Sequence, residues 1–112
     1  MSDPIDIPAP VTAVDPSAPR IDLLARPNPF RGTVQFRLET ATAGRARVIV
    51  LDAAGRRVRV LHEGRLAAGP HEFTWDGRDE GGRLVSPGVY YSEAVTAGAR
   101  VTRPIVRLEA AR

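Results

Sequence analysis

Residues 33–38, with the sequence TVQFRL, alternate polar and apolar side chains without interruption. A period of two places Val34, Phe36 and Leu38 on one face of an extended strand and the polar residues on the other. A second stretch, RARVIVL at residues 45–51, is rich in β-branched side chains, which favour strands over helices. Both stretches therefore predict β-strands with one face turned towards a core.

Similar short runs of alternating polar and apolar residues continue in both directions from these two stretches, separated by Gly, Pro and Asp. We predict seven strands, at Ile21–Ala25, Thr33–Leu38, Arg45–Leu51, Arg57–Leu61, His71–Trp75, Val89–Val95 and Ala99–Leu108. Short strands at roughly 8–12-residue spacing, with turn residues between them, are typical of an antiparallel sandwich. The sequence therefore predicts an all-β fold, a small seven-stranded antiparallel immunoglobulin-like sandwich over residues 20–112. It lacks the cysteine pair of antibody domains.

The first nineteen residues have a different composition. They hold five of the ten prolines, three aspartates and no basic residue. Proline fixes φ, removes a backbone donor and pushes the preceding residue towards extended conformations. We therefore predict that residues 1–19 form an extended or disordered, acidic, Pro-rich tail or linker.

The charge of the chain divides between these two parts. All 16 basic residues are arginines and lie after residue 19, against ten of the 13 acids, so the predicted domain is basic and the tail is acidic. The arginines are scattered and are not interleaved with aromatic residues that could stack on bases, which disfavours a nucleic-acid partner. The chain has no cysteine and only two histidines, which excludes disulfides and argues against a zinc site. No apolar run approaches the ~20 residues of a membrane span, and we expect no transmembrane segment or signal peptide in this sequence.

The residues that could carry catalysis do not form a known constellation. Ser86 and Ser92 lack the Gly-x-Ser-x-Gly turn that exposes a nucleophile. We interpret His62 as a solvated turn residue and His71 as a structural residue at the start of a strand. We expect neither enzymatic activity nor a cofactor, and no small-molecule ligand.

The segment Asp76–Gly82 has the composition of a tight turn. Asp76, Asp79 and Glu80 could supply oxygen ligands to calcium, but their spacing departs from the EF-hand pattern and Asp and Gly are also what turns require. Both interpretations stay open. The glycines here do not lie between a strand and a helix, so they form no phosphate loop. Trp75, just before the turn, is predicted to be a core residue, with an exposed sugar-binding platform as the alternative.

The most distinctive local element is Pro27-Asn28-Pro29-Phe30. Two prolines around an asparagine predict a rigid corner between the first two strands. We expect Phe30 to tuck under this corner and Asn28 to cap the turn with its side chain.

Taken in order, these motifs resemble the FlgD-type immunoglobulin-like domain, which also occurs as the C-terminal sorting domain of proteins exported by type IX secretion. The resemblance covers residues 21–108 and is carried by NPF at 28–30, VLDAAGRRV at 50–58, AGPHEFTWDGRD at 68–79, GGRLVSPGVYY at 81–91 and RPIVRL at 103–108. Arginines at 103 and 107 stand where the family usually has lysines.

The resemblance implies a non-catalytic C-terminal sorting or cell-surface anchoring module of an exported protein, secreted or at the cell surface, whose partner is the secretion or attachment machinery. One alternative is a free-standing structural or assembly subunit that docks onto a larger complex and offers exposed strand edges for pairing. A second is an accessory module that binds sugar or calcium. In such domains the machinery reads the end that contains the last strands. The recognition residues expected on that analogy, and from the corner, are Pro27, Asn28, Pro29, Phe30, Gly88, Tyr90, Arg103 and Arg107. The two arginines are otherwise solvated charges on the strand face.

Overall fold

The computed structural model describes residues 21–109, which form seven β-strands in two sheets. The strands are β1 (Ile21–Arg26), β2 (Val34–Thr40), β3 (Gly44–Leu51), β4 (Arg57–Leu66), β5 (Gly69–Trp75), β6 (Gly88–Thr96) and β7 (Arg100–Arg107). One sheet has the order β1-β2-β5 and the other β4-β3-β6-β7, and all neighbouring strands are antiparallel. The predicted seven-stranded antiparallel sandwich is confirmed. The predicted tail at residues 1–19 lies outside the described residues.

The largest departure from the predicted strands is in β4, which continues to Leu66 instead of ending at Leu61. The prediction took His62-Glu63-Gly64 for a turn, but these residues pair with β3 as far as Gly44 opposite Leu66. The interpretation of His62 as a solvated turn residue is therefore wrong. Its ring is half-buried and packs on Phe73, with 5.5 Å between the ring centroids. Two register shifts between β3 and β4 hide the simple alternation that would have revealed the longer strand.

The core lies between the two sheets and is built from alternate residues of their facing sides. Its buried members are Leu23, Phe30, Val34, Phe36, Leu38, Val48, Val50, Trp75, Tyr90, Ala94 and Ile105. In β2 the burial alternates strictly, as the period of two predicts. The prediction that Trp75 belongs to the core is confirmed, because its side chain is 1% exposed.

Candidate functional site

The corner that precedes β2 is fastened to the last strand through the side chain of Asn28. Its Nδ2 donates to the carbonyl of Pro104 at 3.1 Å, and its Oδ1 accepts from the backbone N–H of Val106 at 3.0 Å. The expectation that Asn28 caps its own turn is wrong, since these bonds reach 76 and 78 residues along the chain. The asparagine amide instead acts as a clasp on one edge of β7.

Backbone hydrogen bonds continue the clasp beyond Asn28. The N–H of Phe30 donates to the carbonyl of Val106 at 2.9 Å, and the N–H of Leu108 donates to the carbonyl of Phe30 at 2.8 Å. Phe30 and Arg107 thereby form an isolated parallel bridge. The corner thus adds a short, separate strand piece to the edge of the four-stranded sheet.

The aromatic side chains beneath the corner pack as one cluster. Phe30 is 1% exposed and lies 5.6 Å from Trp75 between ring centroids, and Trp75 lies 5.5 Å from Tyr90 in an edge-on arrangement. The indole N–H of Trp75 donates to the carbonyl of Arg78, and the Tyr90 hydroxyl donates to the carbonyl of Ser86. The expectation that Phe30 tucks under the corner is confirmed. Both polar aromatic groups are satisfied by the loop between β5 and β6, so the cluster also holds that loop in place.

Arg107 lies inside this end of the sandwich, with 3% of its surface exposed. The interpretation of Arg107 as a solvated strand-face charge is therefore wrong. The residue packs against Gly77, where a Cβ atom would lie 3.1 Å from the Arg107 Nε, and this Nε has no hydrogen-bond partner within residues 21–109. Burial raises the pKa of Tyr90, and the positive charge of Arg107 acts in the opposite direction.

Arg103, in contrast to the buried Arg107, lies at the surface. Half of its side chain is exposed, and it lies 3.8 Å from the carboxylate of Asp22, measured from Nη2 to Oδ1. Its Nε also donates to the carbonyl of Leu23 at 3.3 Å, on the neighbouring strand β1. Arg103 therefore ties the edge of one sheet to the edge of the other and still presents charge to solvent.

The residues expected for recognition all lie on β7 or on the elements beside it. Some of them are exposed and the others are buried. Pro27, Asn28, Pro29 and Arg103 are exposed, Gly88 is half-buried opposite Arg107, and Phe30, Tyr90 and Arg107 are buried. The exposed group can contact a partner directly. The buried group can only position that surface. Whether either group serves recognition stays a prediction.

The carboxylates of Asp76 and Asp79 accept hydrogen bonds from the loop itself, whereas that of Glu80 accepts the backbone N–H of Val60 on β4. Oδ1 of Asp79 accepts the backbone N–H groups of Gly81 and Arg83, and Oδ1 of Asp76 accepts that of Arg78. Within the described part of the chain, no group of three or more acidic, histidine or cysteine side chains is arranged to hold a metal ion. The bonds of Asp76 and Asp79 are those of turn-forming residues.

The remaining polar candidates also have structural roles. The ring Nε2 of His71 lies 2.7 Å from the carbonyl of Ala67, and the hydroxyl of the buried Ser92 donates to the carbonyl of Arg103. The structural interpretation of His71 is confirmed. Residues 21–109 contain no helix that could cross a membrane.

Comparison with known proteins decides the family. The family described as the FlgD Ig-like domain matches residues 26–100, which is most of the described sandwich. This chain belongs to the FlgD Ig-like domain family.

Relatives of this FlgD Ig-like domain include the basal-body rod modification protein FlgD of Salmonella typhimurium. The two are 44% identical over 55 residues, which is 49% of this chain and 23% of FlgD, so the match spans about a quarter of that relative's length.

Among solved structures, dimeric latent PorU from Porphyromonas gingivalis superposes with a TM-score of 0.68 at 22% identity. The match covers 88% of this chain and 10% of PorU. PorZ, a surface component of the type IX secretion system of the same organism, gives a TM-score of 0.52 at 21% identity and covers 78% of this chain and 11% of PorZ. At these identities the two structures establish a shared fold.

Family membership and site geometry agree on the broad class of activity. A FlgD Ig-like domain is a structural module, and the polar side chains that could carry chemistry are here engaged in turns, strand edges and the core. Membership of this family supports a non-catalytic module that makes contacts with other proteins.

Proposed function

We propose that this domain is the C-terminal sorting or surface-anchoring module of an exported protein, and that it works outside the cytoplasm. The observation that carries the proposal is the clasp between the corner and the last strand. Through Asn28, the exposed corner and the segment Pro104–Leu108 become one rigid unit at the C-terminal end of the fold. A partner that reads the last strand would meet the corner in the same contact.

The chemistry of this surface suits a protein partner. The exposed Pro27, Pro29 and Pro104 supply apolar area for a partner. These residues lose little conformational entropy on binding, because proline is already rigid. Arg103 adds an exposed charge that can orient the partner. PorZ, which shares this fold, is a surface component of a type IX secretion system, and this similarity supports the proposed role.

Fusion of residues 1–112 to the C-terminus of a soluble reporter with a signal peptide tests the proposal in a host that has type IX secretion. We expect the reporter to reach the cell surface or the medium, and Arg103→Ala to reduce the exported fraction. Arg37→Ala is the matched control, because Arg37 is also about half exposed and also faces a carboxylate, that of Glu72 at 3.7 Å. A reporter that stays periplasmic in every variant would overturn the sorting role.

The identity with FlgD favours a second candidate, an assembly subunit that docks onto a larger complex. The two roles differ in the size of the native polypeptide. Antibodies against residues 21–109 would detect a chain of about 12 kDa that sediments with a large complex if the protein is a subunit. They would detect a much longer polypeptide if the domain is the terminal module of a cargo protein.

A further inference from the structure

The outer face of the four-stranded sheet carries an apolar surface, which we name the outer patch. It consists of Ile49, Leu51, Val60, Val89, Tyr91, Pro104 and Val106, which lie on one face because they are paired across the strands or alternate along them. Val89 and Pro104 are exposed, Ile49 is buried with 4% exposure, and the other members are half-buried. The other sheet packs on the opposite face, so no strand of the described chain covers the patch. Outer faces of a sandwich are normally polar, and on the three-stranded sheet Asp22, Arg37 and Glu72 are charged, with Leu24 as an exposed apolar residue among them. A contiguous apolar surface of this kind marks an interaction site.

Charged residues border the outer patch along β4 and at the end of the sheet where Arg100 begins β7. The arginines on this face are Arg45, Arg47, Arg57, Arg65 and Arg100, and the acids are Glu63 and Glu93. Glu93 is already paired with Arg100 at 3.6 Å. The Nε of Arg47 is buried and has no hydrogen-bond partner within residues 21–109. The excess of positive charge opposes docking of a second copy of the same face and favours an acidic, apolar segment.

The described chain begins beside this face. Ile21 and Asp22 line one shallow cleft together with Arg100, and Arg103 joins β7 to Asp22 and Leu23. Ile21 therefore lies at the β7 edge of the four-stranded sheet, at its arginine-rich end. Strands lie ~4.8 Å apart, so the whole sheet is only about 15 Å wide. An extended Pro-rich segment spans about 3.1 Å per residue, and nineteen residues are ample to cross it.

We propose that the acidic segment of residues 1–19 docks on the outer patch of its own domain. The segment carries both chemistries that the surface calls for. Asp3, Asp6 and Asp15 complement the arginines, and Ile5, Ile7, Val11 and Val14 supply apolar side chains. A Pro-rich chain needs no strand partner for its backbone, so it can lie across a sheet face rather than along an edge.

Because the segment is covalently attached, only weak affinity is required. A short linker holds its end at an effective concentration of about 1 mM, so a contact with an intrinsic Kd near 1 mM is occupied about half of the time. This inference goes beyond the sorting or assembly role and does not depend on it.

A spin label tests the docking directly, because the natural chain has no cysteine and Thr12→Cys creates a unique attachment site. In the full chain, we expect the nitroxide to weaken the amide NMR signals of Ile49 and Tyr91 roughly twofold or more, as half occupancy predicts. The signals of Gln35 and Arg37, on the outer face of the other sheet, should keep their intensity. High salt should reduce the effect, since ion pairs contribute to the contact.

Two charge reversals and one control reversal separate docking from general proximity. Arg47→Glu should abolish the broadening at the outer patch, whereas Arg37→Glu should leave it unchanged. Asp15→Arg should act like Arg47→Glu, and because it lies outside the sandwich it keeps the test valid if Arg47→Glu impairs folding. Broadening that is absent at the patch, or that is insensitive to both Arg47→Glu and Asp15→Arg, would overturn the proposal in favour of a foreign partner. Broadening that appears in an isotope-labelled chain mixed with a separate spin-labelled chain would overturn it in favour of a second copy.

Discussion

Replacing Asn28 by alanine removes both side-chain hydrogen bonds of the clasp and no other interaction of comparable strength. The donor to Pro104 and the acceptor for Val106 are lost together, and both lie in exposed surroundings. The released backbone groups can therefore bond to water, so no buried unsatisfied group adds to the cost. A typical hydrogen bond contributes about 0.5–1.5 kcal/mol net, which gives a loss of about 1–2 kcal/mol in the free energy of unfolding.

Chemical denaturation followed by the fluorescence of the single tryptophan measures this loss, and a thermal melt checks it. In a domain of 60–100 residues, each kcal/mol lowers Tm by about 4–8 °C. Asn28→Asp keeps the acceptor for Val106 and loses the donor to Pro104, so we expect at least half of the full effect. Gln35→Ala is the control, because Gln35 is an exposed amide on β2. An Asn28→Ala variant that unfolds with the same free energy as Gln35→Ala would show that the clasp does not stabilise the domain.

Three further predictions concern the interior and one turn. Trp75→Ala should cost about 3–5 kcal/mol, measured by circular dichroism during denaturation, because it empties the centre of the aromatic cluster. Gly77→Ala should destabilise the fold by about 1–2 kcal/mol, since φ is +79° and the new Cβ would press on Arg107; an unchanged Tm would contradict this. The backbone N–H of Arg56 bonds to Asp52 and, with further hydrogen bonds, lowers the carboxyl pKa below its ordinary 3.8. This stabilisation is present above pH 4 and is lost as pH falls through the lowered pKa, so in an NMR titration Asp52 should titrate below 3.8.

Much of the fold could be predicted from the sequence because local pattern and tertiary burial agree. In β2 every second residue is buried, in agreement with the alternation of apolar and polar residues in its sequence. The predicted bounds of most strands differ from the observed ones by one or two residues. The exception is β4, where bulges break the period of two and Gly64 resembles a turn residue. Pattern reasoning fails there because the pairing with β3 outweighs local propensity.

The site was less accessible to sequence reasoning because its contacts are non-local. The partners of Asn28 lie more than 70 residues away, so a local capping role was the only one that the sequence could suggest. Arginine is usually a surface residue, so the sequence did not predict that Arg107 is buried. It is accommodated because Gly77 has no side chain and leaves space for it. The outer patch had one visible signal, the outward positions of Ile49 and Leu51 beside Arg47, which period counting alone could not separate from a second buried face.

The strand edges bear on how a partner can bind. The backbone groups of Val106 and the carbonyl of Pro104 are taken by the corner, and the carbonyl of Leu23 on β1 is taken by Arg103. A partner strand would have to displace these bonds to pair along this part of the β7 and β1 edges. The expected use of exposed edges for pairing is therefore disfavoured on this side of the sandwich.

The opposite side of the sandwich is protected in a different way. On β4, the carboxylate of Glu80 accepts the N–H of Val60, and the N–H of Glu80 donates to the carbonyl of Val58. On β5, Pro70 has no N–H to offer to a further strand. Because both sides carry such protection, extension of either sheet by a partner is opposed at these positions. Recognition by side-chain contacts is then the more accessible route, and the two surfaces best built for it are the clasped corner and the outer patch.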